Sequence, residues 1–503
     1  MGLQKAISNS LMVATALAAS ALSGCAVGPD YRQPEAPPVP AYTAGALPEE
    51  TAAARNIEAG GAAQRFIPGQ DIPDQWWSLF RSEALTALIR GALADNPTYA
   101  AAEAALRQAQ EIHRARAGAL FPAADASITA SRTRFSGAAI GQTGADTFSL
   151  FNASVNVSYT LDLFGGVRRE LEAFQAQVDY QRFHLEGVYL TLTANIVTTA
   201  VKEAALRAQL LTTRDILTLQ EKQLDAVENQ LRFGSVPRSD LLAQRTEIAR
   251  TRATLPPLEK ELAQTRHLLA VLAGRYPSEA ATLPAFDLSS LQLPRELPVS
   301  LPSSLVRQRP DIRASEELLH AASAQVGVAT ANLYPQLTLT GSFGTEAAAI
   351  GGLFGSGTSI FNLGAGLLQP LFRGGALNAR RRAALAAYDQ SAALYRATIL
   401  QAFQNVADVL RALEADASAL EAQAEAEAAA RDALDLTRRQ FDLGAVNYLS
   451  LLNAERQHQQ VRIDLVQAQA ARFADTAALF QALGGGWWNR APRTEEAAMT
   501  GAP

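Results

Sequence analysis

The chain has 503 residues, 48% hydrophobic and 18% charged, with a formal charge of -5. That is the composition of a folded protein, and it offers no basic face to a nucleic acid. Aromatics are only 7% while alanine is abundant, which predicts long helices in close contact rather than a bulky globular core. No run of eighteen apolar residues follows residue 25, so no helix beyond that point is expected to span a bilayer, and any membrane insertion must use strands.

Lys5 followed by a modest apolar stretch from Leu11 to Leu22 reads as a secretory signal over residues 1–24. Leu22-Ser23-Gly24-Cys25 closes it and resembles the bacterial lipobox. In that reading Cys25 becomes the mature N-terminus and is acylated on sulfur and nitrogen; buried chains anchor it, and no other cofactor is expected. Ala26 and Val27 follow, and the absence of Asp at the second position resembles lipoproteins sorted to the outer membrane. A plain signal peptide with an incidental cysteine is the bland alternative. As the single cysteine, Cys25 leaves no intrachain disulfide and no cysteine-based zinc site.

The rest of the chain is a duplication. Asn96-Pro97 leads through a helical stretch to Phe121-Pro122, and Arg309-Pro310 leads likewise to Tyr334-Pro335, with both pairs offset by 213 positions. Leu163-Phe164-Gly165-Gly166 matches Leu371-Phe372-Arg373-Gly374-Gly375, and Phe233-Gly234-Ser235-Val236 matches Leu443-Gly444-Ala445-Val446. After each aromatic-proline pair the pattern is that of a strand hairpin, about 125–162 and about 337–368. Phe151, Ala153, Val155, Val157, Tyr159 and Leu161 alternate with Asn152, Ser154, Asn156, Ser158, Thr160 and Asp162, which is period two with one oily face and one wet face. Ala126, Ile128 and Ala130 mark its partner across a polar connection from Ser136 to Asp146. Leu337, Leu339 and Phe343, then Phe361, Leu363, Ala365 and Leu367, mark the second hairpin. Its glycine-rich link, Gly351 to Gly357, lacks the Gly-Lys-Ser/Thr ending of a phosphate loop.

A long proline-free segment follows each hairpin, predicting helices over 166–231 and 375–443 of about 100 Å each. In the second, Leu385, Tyr388, Ala392, Tyr395, Ile399, Phe403, Val406, Leu410 and Leu413 advance by three or four, a coiled-coil-like seam. The chain then turns at Gly234 and Gly444 and returns through shorter helices, the second over 447–483. In the first return helix Pro256-Pro257 is expected to bend or interrupt the run. Four strands in a membrane cannot close alone, because open edges leave backbone groups unpaired in hydrocarbon. Membrane barrels begin at eight strands, so three copies supplying twelve strands are the simplest cyclic solution after a dimer.

The lipobox, Gly28-Pro29-Asp30-Tyr31 with Pro34, Trp76-Trp77-Ser78-Leu79-Phe80, the duplicated landmarks and the closing Ala482-Leu483-Gly484-Gly485-Gly486-Trp487 together resemble the TolC/OprM-type outer-membrane efflux factors. The match is to the lipoprotein branch paired with resistance-nodulation-division pumps, and it runs over nearly all of the mature chain. The resemblance implies a mainly α fold with a β-barrel part: a homotrimer with a 12-stranded outer-membrane β-barrel continued by a periplasmic α-helical barrel. It divides the chain into the signal (1–24), a lipid-anchored N-terminal and equatorial segment (25–80), two repeats (81–295 and 296–483) and a C-terminal tail (484–503). It implies as partners a periplasmic membrane-fusion adaptor, an inner-membrane resistance-nodulation-division transporter and outer-membrane lipid. Small molecules would pass by gated diffusion, with no bond made or broken and no enzyme activity.

Family members present a short tip motif to the adaptor where Gly234-Ser235-Val236 and Gly444-Ala445-Val446 fall; the glycines permit the reversal and the valines offer a small apolar contact. A plain helix C-cap is the bland reading. Tyr448 to Arg456 resembles the segment in which a Leu ring and, four residues on, an Asp ring narrow the periplasmic mouth. Leu449 and Asn453 occupy those places, one helical turn apart, and Asn453 departs from the acid. Asp240, in the matching first-half segment, is either a substitute negative ring or the cap of its helix; Leu449 is either gate or helix packing.

His113, His184, His267, His320 and His458 show no metal-site spacing and are expected at the surface or in packing. Glu421, Glu425 and Glu427 read as a solvated face. Arg380-Arg381-Arg382, about one turn into the second long helix, stands equally for lipid-head contact or interhelix ion pairs. A conduit for type I protein secretion is the alternative function, and a lumenless periplasm-spanning lipoprotein has no use for two alternating hairpins.

Overall fold

The computed structural model describes residues 26–136 and 145–490. The acylation expected at Cys25, and the middle of the first hairpin's connection, lie outside the described residues. In chain order the elements are β1 (Arg65–Pro68), α1 (Glu83–Asp95), α2 (Pro97–Ala117), β2 (Ala123–Ser136), β3 (Ala145–Leu161), α3 (Gly166–Arg232) and α4 (Arg238–Leu272). There follow β4 (Glu296–Val299), α5 (Pro302–Gln308), α6 (Pro310–Ala331), β5 (Gln336–Ala347), β6 (Ser359–Leu368), α7 (Ala376–Asp442) and α8 (Tyr448–Ala482). The chain forms two compact units, one from residues up to 34, 105–181 and 314–396, the other from 35–104, 182–313 and 397 onward.

The first unit is built on a four-stranded antiparallel sheet in the order β2-β3-β5-β6. Its central pairing, β3 with β5, joins the two sequence repeats. The period-two pattern now acquires register. Ala126 lies opposite Val155, Val155 opposite Phe343, and Phe343 opposite Phe361, so one face is a continuous apolar surface. On the other face Ser127 bonds Ser154 (3.2 Å), Asn156 donates to Ser127 (3.1 Å) and Thr160 meets Thr338 (3.1 Å). Strands β2 and β6 are the edges, each with no second strand beside it among the described residues.

Residues 26–31 lie across the same unit. Val27 N donates to Phe164 O (3.0 Å). Arg169, buried, donates to Asp30 (2.6 Å) and Glu172 (2.8 Å). Gly28 has φ 100, and a Cβ there would fall 2.5 Å from the Gly327 backbone, so only glycine permits that approach. Tyr31 stacks on His320 at 4.1 Å and 16°. His320 is thus a packing residue with polar contacts besides: its ring nitrogens meet Glu317 (3.3 Å) and Glu172 (3.1 Å). Glu317, and after it Glu172, hold the imidazole above its ordinary range against the opposing effect of burial.

In the second unit β1 pairs parallel with β4, and Trp76, stacked on Phe480 at 5.3 Å, packs with Phe80 and Trp77 in an aromatic cluster. Fully buried Arg472 on α8 donates to Gly60 O (2.6 Å), Ala62 O (3.1 Å), Thr51 (3.1 Å) and Gln64 (3.1 Å), tying the segment before β1 to the helix. The expected break at Pro256-Pro257 does not interrupt α4, which runs through both prolines. Each proline removes one backbone donor, but both residues, with Arg252 and Ala253 one turn earlier, are exposed, so water can take up the freed carbonyls.

Burial, and then the adjoining Asp475 carboxyl that shares a hydrogen bond with it, push the Asp416 carboxyl up to about 7 despite Arg472. A carboxyl raised above its ordinary value of about 3.9 contributes stability that is fully present below that value and lost as pH rises through about 7. Asp416→Asn is therefore expected to raise Tm at pH 8 more than at pH 5 in thermal melts of the purified protein. Equal shifts at the two pH values would contradict this.

Candidate functional site

The two long helices end alike. Gly234 and Gly444 sit at φ 72 and 75. At the first turn Gly234 N donates to Leu231 O (3.0 Å) and Ser235 N to Gln230 O (2.9 Å); at the second Gly444 N donates to Phe441 O (2.9 Å) and Ala445 N to Gln440 O (2.8 Å). This double bond pattern is the Schellman motif, which satisfies the last helical carbonyls and needs a left-handed residue at the glycine. The Ser235 hydroxyl also donates to Gln230 O (2.8 Å), so it serves the turn itself.

Val236 packs against a buried cluster of Val227, Leu241, Tyr448 and Leu452, and Val446 is half-buried. The apolar groups that the turns present outward are Phe233, 87% exposed, and Leu443, 85% exposed. Sequence reasoning passed over both in favour of the valines. Their signal was available: each is a large apolar residue directly before a turn glycine, where a helix end is open to solvent.

Behind the second turn, Leu449 and Asn453 are exposed and share one face of α8. Tyr448, Leu451, Leu452 and Glu455 form its buried side. Asp240 does not cap α4. The N-cap position is Pro237, with no side-chain bond, and Asp240 lies half-buried in the first turn, accepting from the Ser239 hydroxyl (3.2 Å). The capping side chain belongs to α8, where Asn447 accepts from Ser450 N (2.9 Å).

The structure also assembles a polar network that spacing alone did not reveal. The Tyr448 hydroxyl donates to Gln244, whose amide donates to Gln220 O (2.8 Å). Arg456 pairs with Glu247, and Arg438 with Glu455 (3.5 Å). Burial, then the negative charges of Glu455, Asp240 and Glu247, push the Tyr448 hydroxyl above its ordinary range, so it stays a proton donor. Burial likewise raises the Glu455 carboxyl, with Arg438 opposing. Glu427 is not on a solvated face: it bonds His458 (3.2 Å) and Arg431 (3.4 Å) and is largely covered. Together these bonds hold α8 to α3, α4 and α7 just behind the turns. Among the described residues no group of three His, Cys, Asp or Glu could hold a metal ion.

A sheet with one lipid-compatible face, in a chain whose long helices end in exposed turns, defines the subunit of an outer-membrane channel. Residues 88–275 and 301–485 match the family model described as Outer membrane efflux protein, and the chain belongs to that family. The pyoverdine export outer membrane protein OpmQ of Pseudomonas putida is 34% identical over 86% of this chain and 93% of its own length. The toluene efflux pump outer membrane protein TtgF of Pseudomonas putida is 30% identical over 93% of this chain and 95% of its own. The solved outer-membrane channel OprN superposes with a TM-score of 0.82 at 27% identity, covering 92% of this chain and 100% of that one.

Arg456→Ala removes the partner of Glu247, whose side chain is 9% exposed. The expected cost is about 1–3 kcal/mol, below that of a fully buried pair because Arg456 is itself partly exposed. Denaturant unfolding of the variant against Arg456→Ala/Glu247→Gln measures it, and the double variant should recover part of the loss.

Proposed function

We propose that three copies of this chain close their four-stranded sheets into a twelve-stranded barrel and pass small molecules outward by gated diffusion. The sheet carries this reading: its apolar face suits hydrocarbon, its polar face suits a water-filled lumen, and its two unpaired edges ask for sister strands. Cargo enters from an inner-membrane resistance-nodulation-division pump through a periplasmic adaptor, which docks on Gly234, Ser235, Gly444, Ala445 and their flanking Phe233 and Leu443. Acyl chains on Cys25 add an anchor, and outer-membrane lipid surrounds the barrel. The chain performs no catalysis in this scheme.

Leu449 and, one turn on, Asn453 narrow the periplasmic mouth, with Leu449 as the apolar constriction. Asn453 supplies a polar but uncharged ring at that level, and half-buried Asp240 adds negative charge nearby. The cargo class follows the names of the relatives: pyoverdine and toluene are both small molecules. Specificity then rests with the pump, because a wide lumen selects poorly among solutes.

Two measurements test the scheme. Deleting the gene is expected to sensitise cells to several unrelated toxic compounds while protein secretion is unchanged; loss of one secreted protein with unaltered drug tolerance would turn the reading toward type I secretion. Leu449→Ala is expected to raise single-channel conductance in planar bilayers, and unchanged conductance would remove Leu449 from the constriction.

A further inference from the structure

The two repeats treat their arginines differently where a strand hands over to a long helix. In the first, Arg168 is held by Asp162 (3.2 Å), Arg169 by Asp30 (2.6 Å) and Glu172 (2.8 Å), and Arg116 by Glu170 (2.6 Å). In the second, Arg373, Arg380, Arg381 and Arg382 are all exposed, and none of their side chains bonds or pairs with any described residue. Pro370 stands where the first repeat has Asp162, and no Asp or Glu occurs from Ala347 to Tyr388. The absence of carboxylates is local: an uninterrupted stretch of sheet and helix carries four positive charges that the described residues leave unanswered.

The surroundings say what answers them. The apolar face of β6 continues into Leu371, 92% exposed, and Phe372, 88% exposed, directly before Arg373. A cleft of about 290 Å³ opens there, lined by Leu333, Pro370, Leu371, Phe372, Arg373 and Leu377. Arg380 to Arg382 follow within the first two turns of α7, about 6–9 Å along its axis. That distance matches a headgroup layer of about 5–8 Å at each side of the hydrocarbon, and long arginine stems reach further while keeping their heads in water. A guanidinium fork matches a phosphate in geometry as well as charge.

We propose that Arg373, Arg380, Arg381 and Arg382 form a docking surface for the phosphate headgroups of anionic phospholipid on the periplasmic side of the outer membrane. The other occupant to weigh is a second copy's carboxylates. Those at the corresponding level of the first repeat, Asp162, Glu170 and Glu172, are already engaged within their own chain. The proposal rests on the reading of the sheet as a membrane barrel and adds to it a lipid preference.

Native mass spectrometry of the full-length, detergent-solubilised protein, equilibrated with phosphatidylglycerol or phosphatidylcholine, tests this. The wild type should retain phosphatidylglycerol about tenfold more tightly, with the preference shrinking as salt rises. Changing all four arginines to glutamine should bring the ratio near one, and Arg373→Gln with Arg381→Gln should give an intermediate ratio if the quadruple variant folds poorly. Removing the same charge near the helical turns, at Arg232, Arg238, Arg245 and Arg252, should leave the preference intact. An unchanged ratio in the variants overturns the proposal. So does loss of the oligomer at an unchanged ratio, which assigns the arginines to a neighbouring copy. Full displacement of the lipid by inorganic phosphate at matched ionic strength also overturns it, reducing the surface to bare anion binding. A wild type that neither oligomerises nor retains any lipid is a failure of the barrel reading itself, and is thereby distinguished.

Discussion

One face of the sheet suits hydrocarbon, yet both of its edges carry unpaired backbone groups, and these two facts cannot coexist in an isolated membrane-embedded chain. Each unpaired donor or acceptor in hydrocarbon costs several kcal/mol, and β2 and β6 offer long rows of them, over 14 and 10 residues. In water the same edges would invite aggregation. The chain already uses pairing between its own repeats to remove two edges, since β3 and β5 come from different halves. Closure by further copies extends the same bonding, and it turns the Ser, Thr and Asn face inward to water.

The helical turns divide rigidity from adjustability. At each turn the last carbonyls are satisfied locally by backbone donors, so the reversal needs no partner from elsewhere and has little reason to change shape. Behind them the bonds run between side chains of different helices. Tyr448 with Gln244 and Arg456 with Glu247 hold α8 against α4 of the other hairpin, Arg438 with Glu455 holds it against α7 of its own, and burial raises the Glu455 carboxyl with Arg438 opposing. Movement of α8 away from α4 would exchange these few bonds for water while leaving both turns intact.

Local periodicity made most of the elements legible. The alternation from Phe151 to Asp162 announces a two-faced strand, the proline-free stretches after Gly166 and Gly375 announce long helices, and the glycines at 234 and 444 announce reversals, because each of these is governed by neighbours in sequence. What spacing did not disclose was governed by partners far away. Nothing near Tyr448 indicates Gln244, and nothing near His320 indicates Tyr31 stacked upon it. At Pro256-Pro257 the helix is not interrupted, because exposure lets water take up the carbonyls that the prolines leave without donors. For Asp240 the sequence left a cap and a negative ring both open, because a short acid near a helix start suits either, and the backbone geometry at Pro237 removes only the cap.

Duplication copied the backbone landmarks more faithfully than the charges. Both repeats keep Leu-Phe and paired glycines at the handover from strand to helix, since those residues serve the turn. Around that shared corner the first repeat supplies Asp162 and Glu170 to its own arginines, while the second supplies none. The first corner is also the one that receives residues 26–31, with Asp30 on Arg169 and Val27 on Phe164. Its electrostatics are spent on docking the chain's own N-terminal segment. Among the described residues the second corner has no such segment to hold and its arginine side chains have no partner, so the two repeats differ in surface electrostatics without any change of fold.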